Sequence, residues 1–440
     1  MKNLLSRIRD QNIKIGIIGQ GYVGLPLAMA FAKKFSVTGC DVGSETIEHL
    51  RAGKSHIQDV TDGQISRYLE KTYFPTSNPE DLRWCDILII CVPTPLSEDK
   101  IPDLGYIKSA CTTIKTILHP GQFVILESTT YPGTTDEVVV PILEETGLVA
   151  GKDFGVAYSP ERVDPGNKNF PIEKVPTVVS GITPECTEIA GALYGSVMER
   201  IVPVRNARTA EAVKMVENIF RNVNIALVNE MALIFERMGI NTWEVIDAAA
   251  TKPYGFMPFY PGPGIGGHCI PLDPYYMSYR AKKYGFIPRF IETSGEINEF
   301  MKMHVINLAE RGLRKAGKRL YGAKIAVMGL AYKKNINDPR ESPAIKIIEE
   351  LVNLGAEVRV YDPFVPSLET KAGVFVSASS VEEALDGAEC AVFLVDHDAF
   401  RGISVEKVMG LMASPVVVDG KNLFEDGEGV VLLGIGKGEV

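Results

Sequence analysis

Ile13-Lys-Ile-Gly-Ile-Ile-Gly19-Gln-Gly-Tyr-Val-Gly24 decides the fold. Residues 13–18 form a short isoleucine-rich apolar run with the character of a strand, and residues 25–34, after the glycines, have helical character. Strand, glycine turn and helix in that order make a dinucleotide-binding fingerprint. Gly19 permits the tight turn, Gly21 lets a pyrophosphate approach the backbone amides, and Gly24 lets the helix pack closely on the strand. Tyr22 and Val23 complete the cofactor-facing turn, with phosphate expected at the positive end of the helix.

The second strand, Ser36–Cys40, ends in Asp41, at the distance where such folds place an acid on the adenosine ribose hydroxyls. No Arg or Lys follows in Val42-Gly-Ser-Glu45 to hold a 2'-phosphate, which points to NAD rather than NADP. The competing role for Asp41 is to cap the next helix. Further apolar strands read at residues 87–92, Phe123–Leu126 and Gly155–Tyr158, with helices between, as at residues 104–118. The C-terminal third repeats the plan: residues 324–329, a helix over 342–354, then Glu357–Tyr361 ending in Asp362, with residues 389–395 echoing 86–92. Gly329-Leu-Ala-Tyr-Lys333 lacks the second and third glycines, so this repeat is expected to bind something other than a dinucleotide. The fold class is therefore α/β, two Rossmann-like doubly wound domains joined by a long-helix central region. The expected boundaries are 1–205, 206–315 and 316–440.

Between the repeats, residues 210–238 and 289–315 read as long helices. In the first, Val216, Ile219, Phe220, Val223 and Leu227 form an apolar stripe, and the apolar, elongated helix pair suggests a dimer interface. Lys214, Asn218, Arg221 and Asn222 share another face, for which solvation is the default. Beyond this helix comes Phe259-Tyr-Pro-Gly-Pro-Gly-Ile-Gly-Gly-His-Cys-Ile-Pro-Leu-Asp-Pro-Tyr-Tyr276, in which four glycines and four prolines surround one thiol and one carboxylate. Cys269 and Asp273 are either a nucleophile with an acid/base group, or a passive thiol in a structural Gly/Pro loop.

With 440 residues, 45% of them hydrophobic, the chain holds more than one core. A net charge of -9 argues against broad binding to nucleic acid or anionic membranes. The seven cysteines are scattered, with no CxxC pair and no clustered histidines, which argues for a reducing compartment and against a metal site. No apolar run reaches the length of a membrane span, and residues 1–12 are charged rather than signal-like, so a soluble cytoplasmic protein is expected.

Taken in order, Glu127-Ser-Thr129, Ser159-Pro-Glu-Arg162, Lys214-x-x-x-Asn218, Gly266-Gly-His-Cys269 with Asp273, and Tyr332-Lys333 followed by Arg340-Glu-Ser342 resemble the UDP-glucose/GDP-mannose dehydrogenase family over nearly the whole chain. Phe256-Met-Pro-Phe-Tyr-Pro-Gly-Pro-Gly-Ile-Gly-Gly-His-Cys269 is most similar to the branch that oxidises UDP-N-acetylhexosamines, notably UDP-N-acetylglucosamine. Pro165 stands where the UDP-glucose branch tends to carry a second glutamate, and Arg162 and His268 depart from it too.

The resemblance implies two NAD-dependent oxidations at the sugar C6, through a thiohemiacetal and a thioester on Cys269, then hydrolysis to the uronic acid. Lys214 would stabilise the oxyanion and favour the thiolate, and Asn218 would donate to the same oxygen. Asp273 with Thr129 would hold the catalytic water, and Glu161 would assist thioester hydrolysis. Thr94, Thr129 and Arg340 join the cofactor contacts. Arg162, Lys214, Asn218, Arg221, Tyr260, Gly266, Gly267 and Lys333 join the substrate contacts, although Arg221 and Tyr260 read equally as packing or surface residues. Residues 316–440 would carry UDP, residues 206–315 the catalytic loop and the interface of a homodimer or higher homo-oligomer. Lys333 and Arg340 also read as a solvated basic turn, and Lys421 replaces the arginine often found near the nucleotide, which gives up bidentate phosphate binding. UDP-glucose or UDP-N-acetylmannosamine would be the alternative substrates. Two other readings compete: a two-electron hydroxyacid-type dehydrogenase, in which Cys269 is dispensable, and an NAD-holding redox sensor without turnover.

Overall fold

The computed structural model describes residues 2–438 except 98, 163, 165, 168, 169, 268 and 426. The chain forms two compact units, Met1–Glu217 with Tyr275–Ile287, and Asn218–Pro274 with Pro288–Val440.

In the first unit, β1 (Lys14–Ile18), β2 (Ser36–Cys40), β3 (Tyr73–Thr76), β4 (Ile87–Ile90), β5 (Phe123–Leu126), β6 (Gly155–Tyr158), β7 (Thr177–Gly181) and β8 (Ile201–Pro203) form one sheet. Its order is β3-β2-β1-β4-β5-β6-β7-β8. Strands β1 to β6 pair in parallel, and the direction reverses between β6 and β7. Every residue of β4 and β5 is buried, as strands covered on both faces require. The helix Gly24–Ala32 is apolar all round and wholly buried, and Pro26 is tolerated because it falls in the first turn. Chain order reverses between β1 and β4, and there the carboxyl ends of parallel strands open a crevice. The strand expected over 87–92 ends at Ile90, which puts residues 91–94 on that lip. No strong sequence signal marks β3, β7 or β8, nor the N-terminal helix Lys2–Arg9.

The second unit holds β9 (Lys324–Met328), β10 (Glu357–Tyr361), the hairpin of β11 (Ser367–Thr370) and β12 (Gly373–Val376), then β13 (Cys390–Phe393), β14 (Val416–Asp419) and β15 (Val431–Gly434). Its main sheet, β10-β9-β13-β14-β15, is parallel throughout. The helix Arg289–Lys315 buries Met301, Val305, Leu308 and Leu313 in one core with Ile325, Val327, Val392 and Val416. The echo of the first repeat extends to its turn. Gly329 has φ +96° beside +94° at Gly19, and Asp362 follows β10 as Asp41 follows β2. In the repeat, however, the Leu330 and Ala331 amides both donate to Asp362, at 2.6 and 2.9 Å, and His397 Nε2 lies 3.0 Å from the same oxygen. The amides after the first glycine are thus committed to the protein itself.

The helix Ala207–Met238 buries several polar side chains and exposes several apolar ones. Lys214, Asn218 and Asn222 are buried, whereas Val216, Phe220, Leu227, Ile234 and Met238 are exposed. Solvation, the default for the polar face, holds only for Arg221. Among the described residues, no helix is long and apolar enough to cross a membrane.

Candidate active site

The glycine turn can be tested position by position. Gly19 holds φ +94°, and a Cβ there would press on the Cys91 carbonyl at 2.5 Å. A Cβ on Gly24 would run into the Gly19 carbonyl. Gly21 differs, because a Cβ would meet no protein atom within 4 Å. Protein packing therefore does not require a glycine at 21, and a phosphate approaching the backbone does. Val23, which precedes the helix Gly24–Ala32, makes no side-chain cap, so the positive helix end suits an anion. Asp41 accepts from the Gln20 amide at 2.7 Å and the Gly43 amide at 2.8 Å. It thus braces the turn and the entry to the next helix together. Tyr22 and Val23 are half-buried within this turn, and these residues fit NAD.

The other sites read from sequence in this unit follow strand ends. After β6, Glu161 is buried, and the Lys214 ammonium donates to its carbonyl at 2.7 Å and its Oε2 at 3.0 Å. Both side chains are 6% exposed, so each charge is held by the other in a poorly solvated place. Arg162 points elsewhere, pairing with Glu217 and donating to the Pro176 carbonyl. After β5, Thr129 is half-buried. Thr94 is half-buried on the lip after β4, and its carbonyl accepts from the Tyr276 hydroxyl. Two carboxyl groups here carried no role in the sequence reading. Burial pushes Glu127 up to about 8, against the Tyr194 hydroxyl that donates to it at 2.6 Å, and the charge of Glu161 pushes the same way as burial. Burial also pushes Glu211 up to about 7, although it accepts from the Gly133 and Thr135 amides at 2.5 and 2.8 Å. Sequence alone marks such groups only as acids beside apolar runs.

In the second unit, Cys269 is half-buried, while the other six cysteines of the chain are buried. The Leu272 and Asp273 amides donate to the Cys269 carbonyl at 3.1 and 2.8 Å, so the thiol stands just before the helix Asp273–Lys283. Asn218 donates to the buried Asp273 carboxylate at 2.5 Å. Gly266 and Gly267 are required by a neighbour. A Cβ on either would come within 3 Å of Tyr332, and Gly267 also holds φ +86°. The thiol loop and the loop carrying half-buried Lys333 are therefore packed together.

Arg340 is held by Asp338 through two hydrogen bonds of 2.8 and 2.6 Å. Tyr260 stacks on Trp243 at 5.4 Å and donates to Asp247 at 2.6 Å, and Arg221 is exposed. Lys421 is half-buried, with its ammonium 2.9 Å from where a Gly262 Cβ would stand. Burial lowers its pKa, and among the described residues no hydrogen bond or ion pair takes up its charge. His268 and Pro165 lie outside the described residues.

Residues 13–198 match the NAD binding domain, residues 208–300 the central domain and residues 326–426 the UDP binding domain of the UDP-glucose/GDP-mannose dehydrogenase family. The chain is 37% identical over 421 residues to a UDP-N-acetyl-D-glucosamine 6-dehydrogenase of Pseudomonas aeruginosa, covering 94% of this chain and 98% of that one. It is also 37% identical over 436 residues to a UDP-N-acetyl-D-mannosamine dehydrogenase of Pyrococcus horikoshii, covering 97% and 100%. A solved structure of a UDP-D-ManNAc dehydrogenase from Pyrococcus horikoshii superposes with a TM-score of 0.91 at 37% identity, covering 97% and 100% of the two chains. Family matches along most of the chain, a glycine turn that fits NAD and a parallel second sheet without a dinucleotide turn agree, and the chain belongs to the UDP-glucose/GDP-mannose dehydrogenase family as an NAD-dependent nucleotide-sugar dehydrogenase.

Proposed function

We propose that this enzyme oxidises the C6 hydroxyl of a UDP-N-acetylhexosamine, foremost UDP-N-acetylglucosamine, to the uronic acid through a covalent adduct on Cys269. The observation that carries the reading is the setting of that thiol: it is the one cysteine not buried, and Asp273, four residues on, is held by Asn218. A purely structural thiol has no need of partial exposure beside a fixed carboxylate.

NAD would supply the hydride acceptor, one molecule for each of the two oxidations. In the first, the sugar alcohol loses a proton and a hydride, with Asp273 as the proposed base through a water shared with Thr129. The Cys269 thiolate then adds to the aldehyde carbon, and the carbonyl electron pair moves to oxygen to give the thiohemiacetal as its oxyanion. Loss of a second hydride from that carbon, as the oxygen pair re-forms the carbonyl, leaves the thioester. Water adds, the carbon–sulfur bond breaks, and the carboxylate departs as the thiolate is restored. Lys214 and Asn218, one helical turn apart, are the proposed donors to the oxyanion, and Glu161 the proposed aid to hydrolysis. Lys214 now donates to Glu161, so the two would exchange this bond for contacts with the reacting group.

Gly266 and Gly267 keep the backbone low beneath the sugar, and Lys333 with Lys421 supplies positive charge for the diphosphate. Lys421 is the better supported of the pair, as a half-buried ammonium without a protein acceptor among the described residues has reason to be there if an anion binds. Arg340 would serve NAD and Arg162, Arg221 and Tyr260 the substrate only after leaving Asp338, Glu217, solvent and Trp243 respectively, so these four carry the least weight. The exposed stripe of Phe220, Leu227, Ile234 and Met238 is proposed as the contact of a homodimer.

The test is NADH formed per sugar consumed, with limiting UDP-N-acetylglucosamine, UDP-N-acetylmannosamine and UDP-glucose in parallel. A ratio near two with the first sugar is expected. A ratio near one refutes the four-electron route, and turnover with only one of the other sugars reassigns the substrate.

A further inference from the structure

Two ends of the thiol loop are tied to the same pair of long helices by a chain of buried amides. Asn222 Nδ2 donates to the Ile270 carbonyl at 3.1 Å, and Asn222 Oδ1 lies 2.8 Å from the Ser294 hydroxyl. Asn298 Nδ2 donates to the Asn222 carbonyl at 3.2 Å and accepts at Oδ1 from Asn229 Nδ2 at 2.9 Å. Asn229 Oδ1 in turn accepts from the Gly262 amide at 3.0 Å. The four polar side chains are at most 4% exposed. Because a carbonyl needs a donor, Ile270 fixes which way the Asn222 amide faces, and this leaves Oδ1 toward Ser294.

Next to the thiol the backbone carbonyls are also taken. The Cys269 carbonyl is taken by the Leu272 and Asp273 amides, the next carbonyl by Asn222, and Pro271 follows. Gly264, at φ +118°, brings the loop so near that a Cβ would stand 3.1 Å from the Asn298 carbonyl. Apolar side chains would join two helices without the desolvation cost of buried amides. What leucine cannot supply is a donor for Ile270 and an acceptor for Gly262, the two backbone groups on either side of the thiol.

We infer that Asn222, supported by Ser294 and the Asn229–Asn298 pair, is a positioning residue that sets where the Cys269 sulfur meets the sugar C6. This rests on the reading of Cys269 as the nucleophile. A satisfied buried network is rigid, and an error of about 1 Å at a reacting atom costs roughly a hundredfold in rate.

The experiment uses the full chain with UDP-N-acetylglucosamine and NAD. Asn222→Asp keeps the size and the acceptor for Ser294 but replaces the donor to Ile270 by a repelling oxygen, while Ser294→Ala removes only the support. Turnover, KM for each substrate, iodoacetamide alkylation of Cys269 and melting temperature are measured for both, beside Cys269→Ser. The expected result is a kcat loss of roughly ten- to a hundredfold in Asn222→Asp and a smaller one in Ser294→Ala, with KM for NAD within about twofold and an altered alkylation rate. Should Asn222→Asp fail to fold, Ser294→Ala decides. Wild-type kcat and alkylation in the folded variants, even with a lowered melting temperature, make the network merely structural and overturn the inference. If Cys269→Ser still forms acid at the wild-type rate, the covalent reading falls and this inference with it. If Cys269→Ser is inactive while the network variants behave as wild type, this inference alone falls.

Discussion

Replacing Lys214 by alanine tests the buried pair with Glu161 on stability and on chemistry together. The substitution removes two donors, to the Glu161 carbonyl and to Oε2, and leaves a carboxyl group only 6% exposed. Breaking a buried pair by deleting one partner costs about 3–5 kcal/mol. For a folded unit of 150–250 residues, which includes the first unit here, each kcal/mol moves the melting temperature by about 2–4 °C. A fall of roughly ten degrees is therefore expected for Lys214→Ala by thermal unfolding. The double variant Lys214→Met with Glu161→Gln removes both charges and should recover much of that loss while remaining inactive. Steady-state NADH formation should drop by about a hundredfold or more, as for loss of an oxyanion donor. NAD affinity, set by the glycine turn and Asp41, should stay within about threefold. An unchanged melting temperature would refute the buried-pair argument, and lost NAD affinity with intact turnover would refute the role given to this helix.

Gly21→Ala should fold with an unchanged melting temperature yet bind NAD more weakly, whereas Gly19→Ala should destabilise the protein, since only the second Cβ meets backbone. Equal destabilisation in thermal melts and NAD titrations would contradict the assignment of Gly21. Glu127 and Glu211, raised to about 8 and about 7, keep protons in the folded state that the unfolded chain releases near its ordinary carboxyl pKa. Folding stability from these groups is thus fully present below about pH 4 and is lost as pH rises through about 7 to 8. Urea midpoints should show that decline, and Glu127→Gln should flatten it. An equally steep decline in that variant would assign the effect elsewhere. Leu227→Asp, which puts a charge in the exposed apolar stripe, should convert the proposed dimer to monomer in sedimentation experiments without unfolding it. A wild-type protein that is monomeric at all concentrations would remove the proposed interface.

Much of the fold was legible because it rests on short-range patterns. The apolar run before Gly19, the three glycines and Asp41 each respond to local needs: burial on both faces, a positive φ, close helix packing and a carboxylate at a strand end. The same signals, minus two glycines, marked the repeat at Gly329. The strands β3, β7 and β8 were not legible, since pairing with segments elsewhere in the chain decides them.

Site residues divide in the same manner. Sequence spacing placed Lys214 and Asn218 on one helical face and Cys269 ahead of Asp273, because helix periodicity and loop composition are local. Tertiary structure alone decided that Lys214, Asn218 and Asn222 are buried while Val216, Phe220 and Leu227 are exposed. It also showed that Arg162 goes to Glu217, Arg340 to Asp338 and Tyr260 to Trp243, and that Asn222 reaches Ile270. The physical reason is that a backbone dihedral or a helical period depends on neighbours in sequence. Desolvation, a shifted pKa and the partner of a charge depend instead on which distant segments fold against them.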